Sequence, residues 1–128
     1  VMGCCGIEVD KIPEKGLSGR ISTSAPLMSN VAVGRKFRRR GIAEEMVYRA
    51  EELARKDWGY DEVYLYVEKR NSPALKLYQK LGYKRLWEDA TANTLMPVAT
   101  GGMKQVPTTL VCMRKKLNRG LLGRLFNF

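Results

Sequence analysis

The stretch RKFRRRGIAEEM, residues 35–46, places a dense cluster of positive charge directly before the start of a helical pattern. Five of its first six residues are basic, and a single glycine, Gly41, separates them from an acidic run. A helix N-terminus exposes unpaired N–H groups and carries a partial positive charge, and a glycine there lets a ligand approach the backbone closely. Basic loop, glycine and helix start together predict a turn that binds phosphate groups.

The net charge of +10 is concentrated in two short stretches of the chain. Residues 35–40 contain five basic residues and residues 114–124 contain five more, with no acidic residue in either stretch. The other 13 basic residues are matched by 13 acidic ones. A protein that coats nucleic acid spreads its charge more widely. We therefore expect two local anion sites, or one site and a basic tail, and no nucleic-acid partner.

The length of 128 residues and the hydrophobic fraction of 45% are typical of one globular domain. We assign residues 1–117 to this domain and residues 118–128 to a basic, apolar tail. No apolar run approaches the roughly 20 residues that cross a bilayer, so stable membrane insertion is not expected. The chain starts at Val1 and has no visible secretory signal, which favours a processed or trimmed product.

The absence of histidine excludes whole classes of chemistry. Ser–His–Asp and Cys–His catalysis both need an imidazole, and histidine is also the commonest zinc ligand, so no metal is expected. The three cysteines, Cys4, Cys5 and Cys112, are odd in number and include an adjacent pair. This is a poor disulfide framework, which favours a reducing compartment.

The hydrophobic pattern predicts the element order strand, strand, helix, strand, helix, strand, strand, in one α/β or α+β layer structure. The first helix is expected from Gly41 to about Trp58, and the second within NSPALKLYQKLGY, residues 71–83, with Ser72 as N-cap. Residues 90–106 are expected to form a loop. Apolar residues of the first helix form one stripe, whereas Glu44, Glu45, Glu51 and Glu52 lie off it. In the strand DEVYLYVEK, residues 61–69, one face is predicted to carry Val63, Leu65 and Val67, and the other Tyr64, Tyr66 and Glu68.

Two motifs carry a family resemblance. Arg38-x-x-Gly41-x-Ala43 resembles the R/Q-x-x-G-x-G/A signature of the GNAT superfamily of N-acetyltransferases. Residues 71–83 resemble the family's second motif, N-x-x-A-x-x-x-Y-x-x-x-G-[FY], which is filled here by Asn71, Ala74, Tyr78, Gly82 and Tyr83. The resemblance runs in detail from about residue 25 to residue 83, more loosely to residue 117, and is greatest to plant plastid members.

The resemblance implies the GNAT acyl-CoA N-acyltransferase fold, a mixed, mostly antiparallel sheet flanked by helices. The family fold normally begins with a strand and two helices that help to shape the acceptor site. We find no room for them before Val1, so part of the substrate-recognition half is expected to be missing from this chain. A plastid stroma location is implied by the resemblance, with the cytoplasm as the alternative.

The resemblance also implies the site residues. The backbone of Val31, Ala32 and Val33 would contact the pantetheine arm and thioester of acetyl-CoA, the loop and helix start would bind its pyrophosphate, Asn71 would bind the pantetheine side, and Tyr78 would protonate the leaving thiolate. The implied coenzyme-binding residues are Val31, Ala32, Val33, Arg38, Arg39, Arg40, Gly41, Ile42, Ala43, Glu44, Asn71 and Tyr78.

The sequence leaves two alternatives for the group that removes the proton of the acceptor amine. Several N-terminal acetyltransferases of the superfamily have Glu or His five residues before the motif asparagine, and this chain has Tyr66 there. A neutral tyrosine is a poor base near pH 7, although it could order a water that carries the proton away. Glu68, on the same predicted strand face, is the alternative.

The predicted function is an acetyl-CoA-dependent N-acetyltransferase. It would act on a protein or peptide, at a lysine side chain or the N-terminal amine, by direct attack in a ternary complex. The alternative is a non-catalytic basic module that binds nucleic acid or coenzyme A. Against nucleic acid, aromatic residues for base stacking are not interleaved with the charge. The sequence leaves the oligomeric state of the protein open.

Overall fold

A computed structural model describes residues 3–13, 22–33 and 41–117 of the chain. These ranges contain five strands and two α-helices in the predicted order, and neither helix is long and apolar enough to span a membrane. The tail at residues 118–128 lies outside the described ranges. The elements are β1 (Gly3–Pro13), β2 (Ser22–Val33), α1 (Ile42–Glu52), β3 (Glu62–Glu68), α2 (Ser72–Lys80), β4 (Lys84–Pro97) and β5 (Met103–Lys116).

The five strands form one sheet in the order β1-β2-β3-β5-β4. β2 and β3 are parallel, and every other pair of neighbours in this sheet is antiparallel. Parallel strands need a crossover connection, and here α1 lies on that connection. The expected mixed, mostly antiparallel sheet with flanking helices is confirmed.

The parallel pair is short. Along the described lengths of β2 and β3, the pairing joins Leu27 to Tyr64 and Met28 to Leu65. β2 continues for five residues beyond Met28, and β3 for three beyond Leu65. An opening between the carboxyl ends of two parallel strands leaves backbone N–H and C=O groups that need other partners, so this edge of the sheet is suited to receive a ligand.

The alternation in β3 divides the interior into two clusters, as predicted. Val63, Leu65 and Val67 pack against α1 and α2. Tyr64 and Tyr66 belong to a second cluster on the other face, with Ile12, Ala25, Leu27, Trp87 and Cys112. Because successive strand residues point to opposite faces, this one strand supplies both clusters.

The expectation of a loop at residues 90–106 is wrong. β4 and β5 form a long antiparallel hairpin whose pairing continues to Pro97 and Met103, and the turn between them contains Gly101 and Gly102 at positive φ. Much of the far half of the hairpin is exposed on both faces, so the apolar alternation that marks a half-buried strand is lacking there. Its Thr, Ala and Gly content is typical of a loop, although the segment is paired.

The first helix also differs from the expectation. α1 ends at Glu52 and a π-helical turn, Leu53–Asp57, follows, in which the Trp58 N–H donates to the Leu53 carbonyl at 3.2 Å. Glu51, expected off the apolar stripe, is buried with 7% of its surface exposed. The reason is tertiary, because its carboxylate accepts hydrogen bonds from residues that follow α2 and lie in β5.

The second helix begins one residue earlier than expected. Asn71, not Ser72, is the N-cap of α2, since its side-chain oxygen accepts a hydrogen bond from the Ala74 N–H at 3.3 Å. Ser72 is the first helical residue, and Pro73 follows it. Both Asn and Ser are good N-caps, so the sequence pattern does not decide between them.

The C-terminus of α2 is a Schellman motif. The Gly82 N–H donates to the Gln79 carbonyl at 3.1 Å, and the Tyr83 N–H donates to the Tyr78 carbonyl at 2.9 Å. Gly82 has φ +99°, and a Cβ added there would lie 3.4 Å from Cε of Lys115. Glycine adopts this backbone conformation without strain, which explains the glycine of the second motif.

We expect Gly82→Ala to lower the free energy of unfolding by about 1 kcal/mol or more, because alanine is strained at positive φ. Asparagine tolerates positive φ better, so Gly82→Asn should lose less. Urea denaturation of the wild type and both variants measures the difference. Equal stability of the alanine variant and the wild type would contradict the role of Gly82 as the turn residue.

Candidate functional site

The start of α1 is open to an anion. Gly41 is its N-cap, with φ 72° and ψ 11°, and no side chain among the described residues caps the helix. A Cβ added at Gly41 would meet none of the described atoms within 4 Å. The unpaired N–H groups of the first turn and the positive helix end therefore face an approachable surface.

Two carboxylates flank this helix start. Glu44 pairs with Lys80 of α2, with Oε1 and Nζ 2.8 Å apart, and Glu45 pairs with Arg49 at 3.0 Å. Both pairs are exposed, so each contributes little to stability. The pair between Glu44 and Lys80 joins the two helices beside the open N-terminus.

The predicted phosphate-binding residues are described in part. Gly41, Ile42, Ala43 and Glu44 form the N-cap and first turn of α1. For Val31, Ala32 and Val33 the backbone is described, at the carboxyl end of β2 beyond its pairing with β3. Arg38, Arg39 and Arg40 lie outside the described residues. The described parts meet at one edge of the sheet, where the parallel strands end.

Asn71 lies at the start of the other helix that leaves this edge. Its side-chain oxygen caps α2 through the Ala74 N–H, and its side chain is exposed. The capping bond occupies the oxygen and leaves the side-chain NH₂ group as the donor for a ligand. This residue therefore serves the fold and can serve the site.

Tyr78 is buried within the cluster that α1 and α2 share, with 7% of its surface exposed. Its ring meets the ring of Tyr83 edge to face, with centroids 5.8 Å apart. Burial, reinforced by the neighbouring Cys5, raises the pKa of the Tyr78 phenol above its ordinary value. A raised pKa keeps the proton on the hydroxyl at neutral pH, so this group is available as a donor.

Tyr66 belongs to the opposite face of the sheet. Its ring contacts Trp87 edge to face at a centroid distance of 5.6 Å. Burial raises the pKa of Tyr66 to about 12, and the neighbouring Cys112, Asp10 and Asp89 add to this effect. The phenol is protonated at neutral pH, so it can hydrogen-bond a water but is unsuited to remove a proton itself.

Glu68 shares the strand face of Tyr66, and its carboxylate is engaged twice. Its Oε1 accepts a hydrogen bond from Thr108 Oγ1 at 2.9 Å and lies 3.0 Å from Arg70 Nη2. An open cavity of about 420 Å³ adjoins these side chains at the end of β3. It is lined by Lys69, Arg70, Ala90, Pro107, Thr108 and Thr109.

Two cations of the second basic stretch, residues 114–124, form ion pairs within the fold. Arg114 lies 3.7 Å from Glu62, and Lys115 lies 2.9 Å from Glu51. These two cations are therefore not an independent anion site, and Arg119 and Arg124 lie outside the described residues. The acidic partners are more than 50 residues away in the chain, so no local pattern could have revealed the pairs. Within the described ranges no cluster of three or more His, Cys, Asp or Glu residues is arranged to hold a metal ion.

Comparison with known proteins identifies the family. A family model described as the acetyltransferase (GNAT) family matches residues 2–83. This is more than half of the 128 residues, and the chain belongs to the GNAT family of acetyltransferases. The resemblance based on the two motifs is thereby confirmed.

Among the proteins similar to this chain are two relatives and one solved structure. It is 39% identical over 77 residues to GCN5-related N-acetyltransferase 4, chloroplastic, of Arabidopsis thaliana, covering 60% of this chain and 26% of that protein. It is 35% identical over 57 residues to N-alpha-acetyltransferase of Saccharolobus solfataricus, covering 44% and 34%. The crystal structure of the NatC complex bound to Gag peptide and CoA contains a chain that matches with a TM-score of 0.64 and 22% identity, covering 91% and 61%. This last likeness supports the fold alone.

The chain spans about a quarter of the length of the chloroplast relative that it matches and about a third of the archaeal one. The family is thus defined by the region from β1 to the end of α2.

We expect Tyr66→Phe to reduce the alkaline destabilisation of the protein. In the unfolded chain a tyrosine has a pKa near 10, whereas in the folded protein the pKa of Tyr66 is about 12. Between these values the unfolded state releases a proton that the folded state retains, so the free energy of unfolding falls as pH rises.

Urea denaturation of the wild type and Tyr66→Phe at pH 8 and pH 11 measures this effect. The pH 8 pair is the control, because there the phenol is protonated in both states. The loss of stability between the two pH values should be smaller in the variant. An equal loss in both proteins would contradict the raised pKa.

Proposed function

We propose that this protein is an acetyl-CoA-dependent N-acetyltransferase that acts on an amine of a protein or peptide. The observation that carries the proposal is the uncapped start of α1 at Gly41, at the same sheet edge where β2 and β3 part. The printed names of the chloroplast and archaeal relatives, both acetyltransferases, support the reaction type.

The coenzyme would occupy this edge along its length. The first-turn N–H groups of α1 would bind the pyrophosphate, because backbone donors and a positive helix end favour an anion. Beyond the pairing with β3, the backbone of Val31–Val33 on the side of β2 turned away from β1 would hydrogen-bond the pantetheine arm, and the NH₂ group of Asn71 would donate from the other side. Arg38, Arg39 and Arg40 precede this turn in sequence and would add positive charge near the phosphates.

The chemistry requires no nucleophile from the protein. The neutral amine of the acceptor attacks the thioester carbonyl carbon, and collapse of the tetrahedral intermediate breaks the C–S bond. Tyr78 gives its proton to the departing thiolate, which leaves as the thiol of coenzyme A. The surplus proton of the amine passes to water, and the Tyr78 phenolate takes up a proton from solvent. The products are an N-acetylated amine and free coenzyme A.

The acceptor would approach from the opposite face of the sheet. Tyr66 lies on that face and would order the water that receives the amine proton. Glu68 is the alternative base, although Thr108 and Arg70 already hold its carboxylate. The open cavity beside Glu68 is of a size to admit an extended chain end or a lysine side chain.

The names of the relatives indicate which amine would accept the acetyl group. The archaeal relative is named as an N-alpha-acetyltransferase, which favours a peptide α-amine. A lysine side chain is the second acceptor. The chloroplast relative supports a plastid location.

Mass spectrometry tests this proposal. A peptide library with free N-termini and internal lysines is incubated with the protein and acetyl-CoA, and the acetylated positions are mapped. Isothermal titration with coenzyme A and with an oligonucleotide separates the enzyme from a basic binding module. Binding of the oligonucleotide without binding of coenzyme A and without acetylation would favour the module.

We expect Gly41→Asp to abolish most coenzyme A binding, because its carboxylate would oppose the charge of the pyrophosphate. Gly41→Asn is the matched control, since asparagine has the same shape, carries no charge and tolerates positive φ. Isothermal titration should show a much greater loss of affinity for Asp than for Asn. Unchanged affinity in the aspartate variant would contradict the binding turn.

We expect Tyr78→Phe to lower kcat by roughly 10²- to 10⁴-fold, the usual contribution of a general acid, and to leave coenzyme A affinity nearly unchanged. The change removes one hydroxyl and keeps the ring that packs on Tyr83. Single-turnover kinetics isolate the chemical step. Tyr60→Phe, just before β3, is the control and should retain wild-type turnover. A Tyr78→Phe enzyme with the wild-type chemical rate would exclude Tyr78 as the acid.

A further inference from the structure

A buried charged cluster lies directly behind Tyr78. Glu51 of α1 has 7% of its surface exposed. Its Oε2 accepts a hydrogen bond from the Tyr83 hydroxyl at 2.8 Å, and its Oε1 accepts one from Lys115 Nζ at 2.9 Å. Both oxygens of the carboxylate therefore have a donor, which offsets the cost of burying the charge.

Tyr83 is held tightly by this cluster. Its side chain is almost wholly buried, with 2% exposed. Lys115 Nζ lies 5.8 Å from the centroid of the Tyr83 ring, and the alkyl chain of Lys115 passes over Gly82. The hydroxyl, the ring and the preceding glycine are thus all in contact with residues of α1 and β5, which limits the movement of the ring.

Tyr78 is connected to Tyr83 in two ways. The Tyr83 N–H donates to the Tyr78 carbonyl at 2.9 Å, as part of the Schellman motif. The two rings also meet edge to face, at an angle of 73°. Any shift of the Tyr83 ring therefore changes the surface on which the Tyr78 ring rests, and with it the direction of the Tyr78 hydroxyl.

We propose that Glu51, Tyr83 and Lys115 are positioning residues that aim the Tyr78 hydroxyl at the thioester sulfur. This inference rests on the proposed function of Tyr78. The three residues come from α1, from the turn after α2 and from β5. They tie the helix that would bind the pyrophosphate to the helix that carries the acid. A misplacement of about 1 Å at a reacting group can cost 10²-fold in rate.

The decisive variant is Tyr83→Phe, which removes the hydroxyl and keeps the ring and the Schellman backbone. We expect kcat to fall about tenfold, while KM for acetyl-CoA stays within about twofold, because the binding surface at Gly41 is untouched. In a Tyr78→Phe background the same change should have no further effect on kcat, since the group being positioned is already gone.

Glu51→Gln tests the hydrogen bond between Tyr83 and Glu51 by changing its acceptor. It keeps an acceptor for the Tyr83 hydroxyl and loses the charge that pairs with Lys115, so kcat should fall less than in Tyr83→Phe. Glu52→Gln is the matched control. Glu52 is the next residue of α1 and pairs with Arg55 and Lys56, away from Tyr78. This control should retain wild-type turnover.

The outcomes separate this proposal from the proposed function. Multiplicative losses in Tyr78→Phe/Tyr83→Phe would indicate a merely structural role and overturn the positioning. Absence of turnover in the wild type would overturn the proposed function instead. For that case, NMR of selectively labelled tyrosines decides: Tyr83→Phe should shift the Tyr78 ring resonances, and unshifted resonances would overturn the positioning.

Discussion

The parallel pairing of β2 with β3 is the constraint on which the site depends. Two adjacent parallel strands require the chain to cross back over the sheet between them, and α1 lies on that crossover. Both strands consequently end at the same edge, and α1 and α2 both begin there. The pairing joins Leu27 to Tyr64 and Met28 to Leu65, and both strands continue beyond it. This edge therefore combines a gap between β2 and β3 with two helix N-termini.

The sheet also separates the two candidate proton-transfer groups. Alternation along β3 sends Tyr66 and Glu68 to one face, whereas Tyr78 packs on the other with the two helices. A thioester lying between the parted strands would be reached from both faces. Removal of the amine proton and protonation of the thiolate would then occur on opposite sides. In both tyrosines burial favours the protonated phenol, which suits each hydroxyl to donate a hydrogen bond and not to remove a proton.

The buried carboxylate of Glu51 is a costly feature that the fold nevertheless retains. A buried charge is tolerated when it is paired and hydrogen-bonded, and removing one partner is strongly destabilising. Glu51 meets this condition through Tyr83 and Lys115. A well-packed apolar residue could serve stability as well. The polar cluster does something that an apolar one does not, because its directional bonds fix the orientation of the Tyr83 ring against Tyr78.

Local spacing was sufficient to predict the family, the element order, the division of β3 into two faces and the helix start at Gly41. Each of these depends on residues within one helix or strand, where period and glycine positions are visible in the sequence. The outer half of the β4–β5 hairpin, within residues 90–106, could not be predicted, because a strand exposed on both faces lacks the alternation that burial imposes. Asn71 and Ser72 have similar propensities as N-caps, so the sequence does not choose between them. The hydrogen bond from the Ala74 N–H to the Asn71 side chain decides in favour of Asn71.

What only the tertiary structure decided are the contacts between residues distant in sequence. Glu51 and Lys115 are 64 residues apart, and Glu44 and Lys80 are 36 apart. A charged residue in a helix or strand has the same local pattern whether it faces water or a buried partner. The sequence by itself therefore determined the family and the position of the helix start at Gly41. The packing of α1, α2 and β5 determined which charged side chains form ion pairs inside the protein. It also determined the contacts that hold Tyr83, and through it Tyr78, in place.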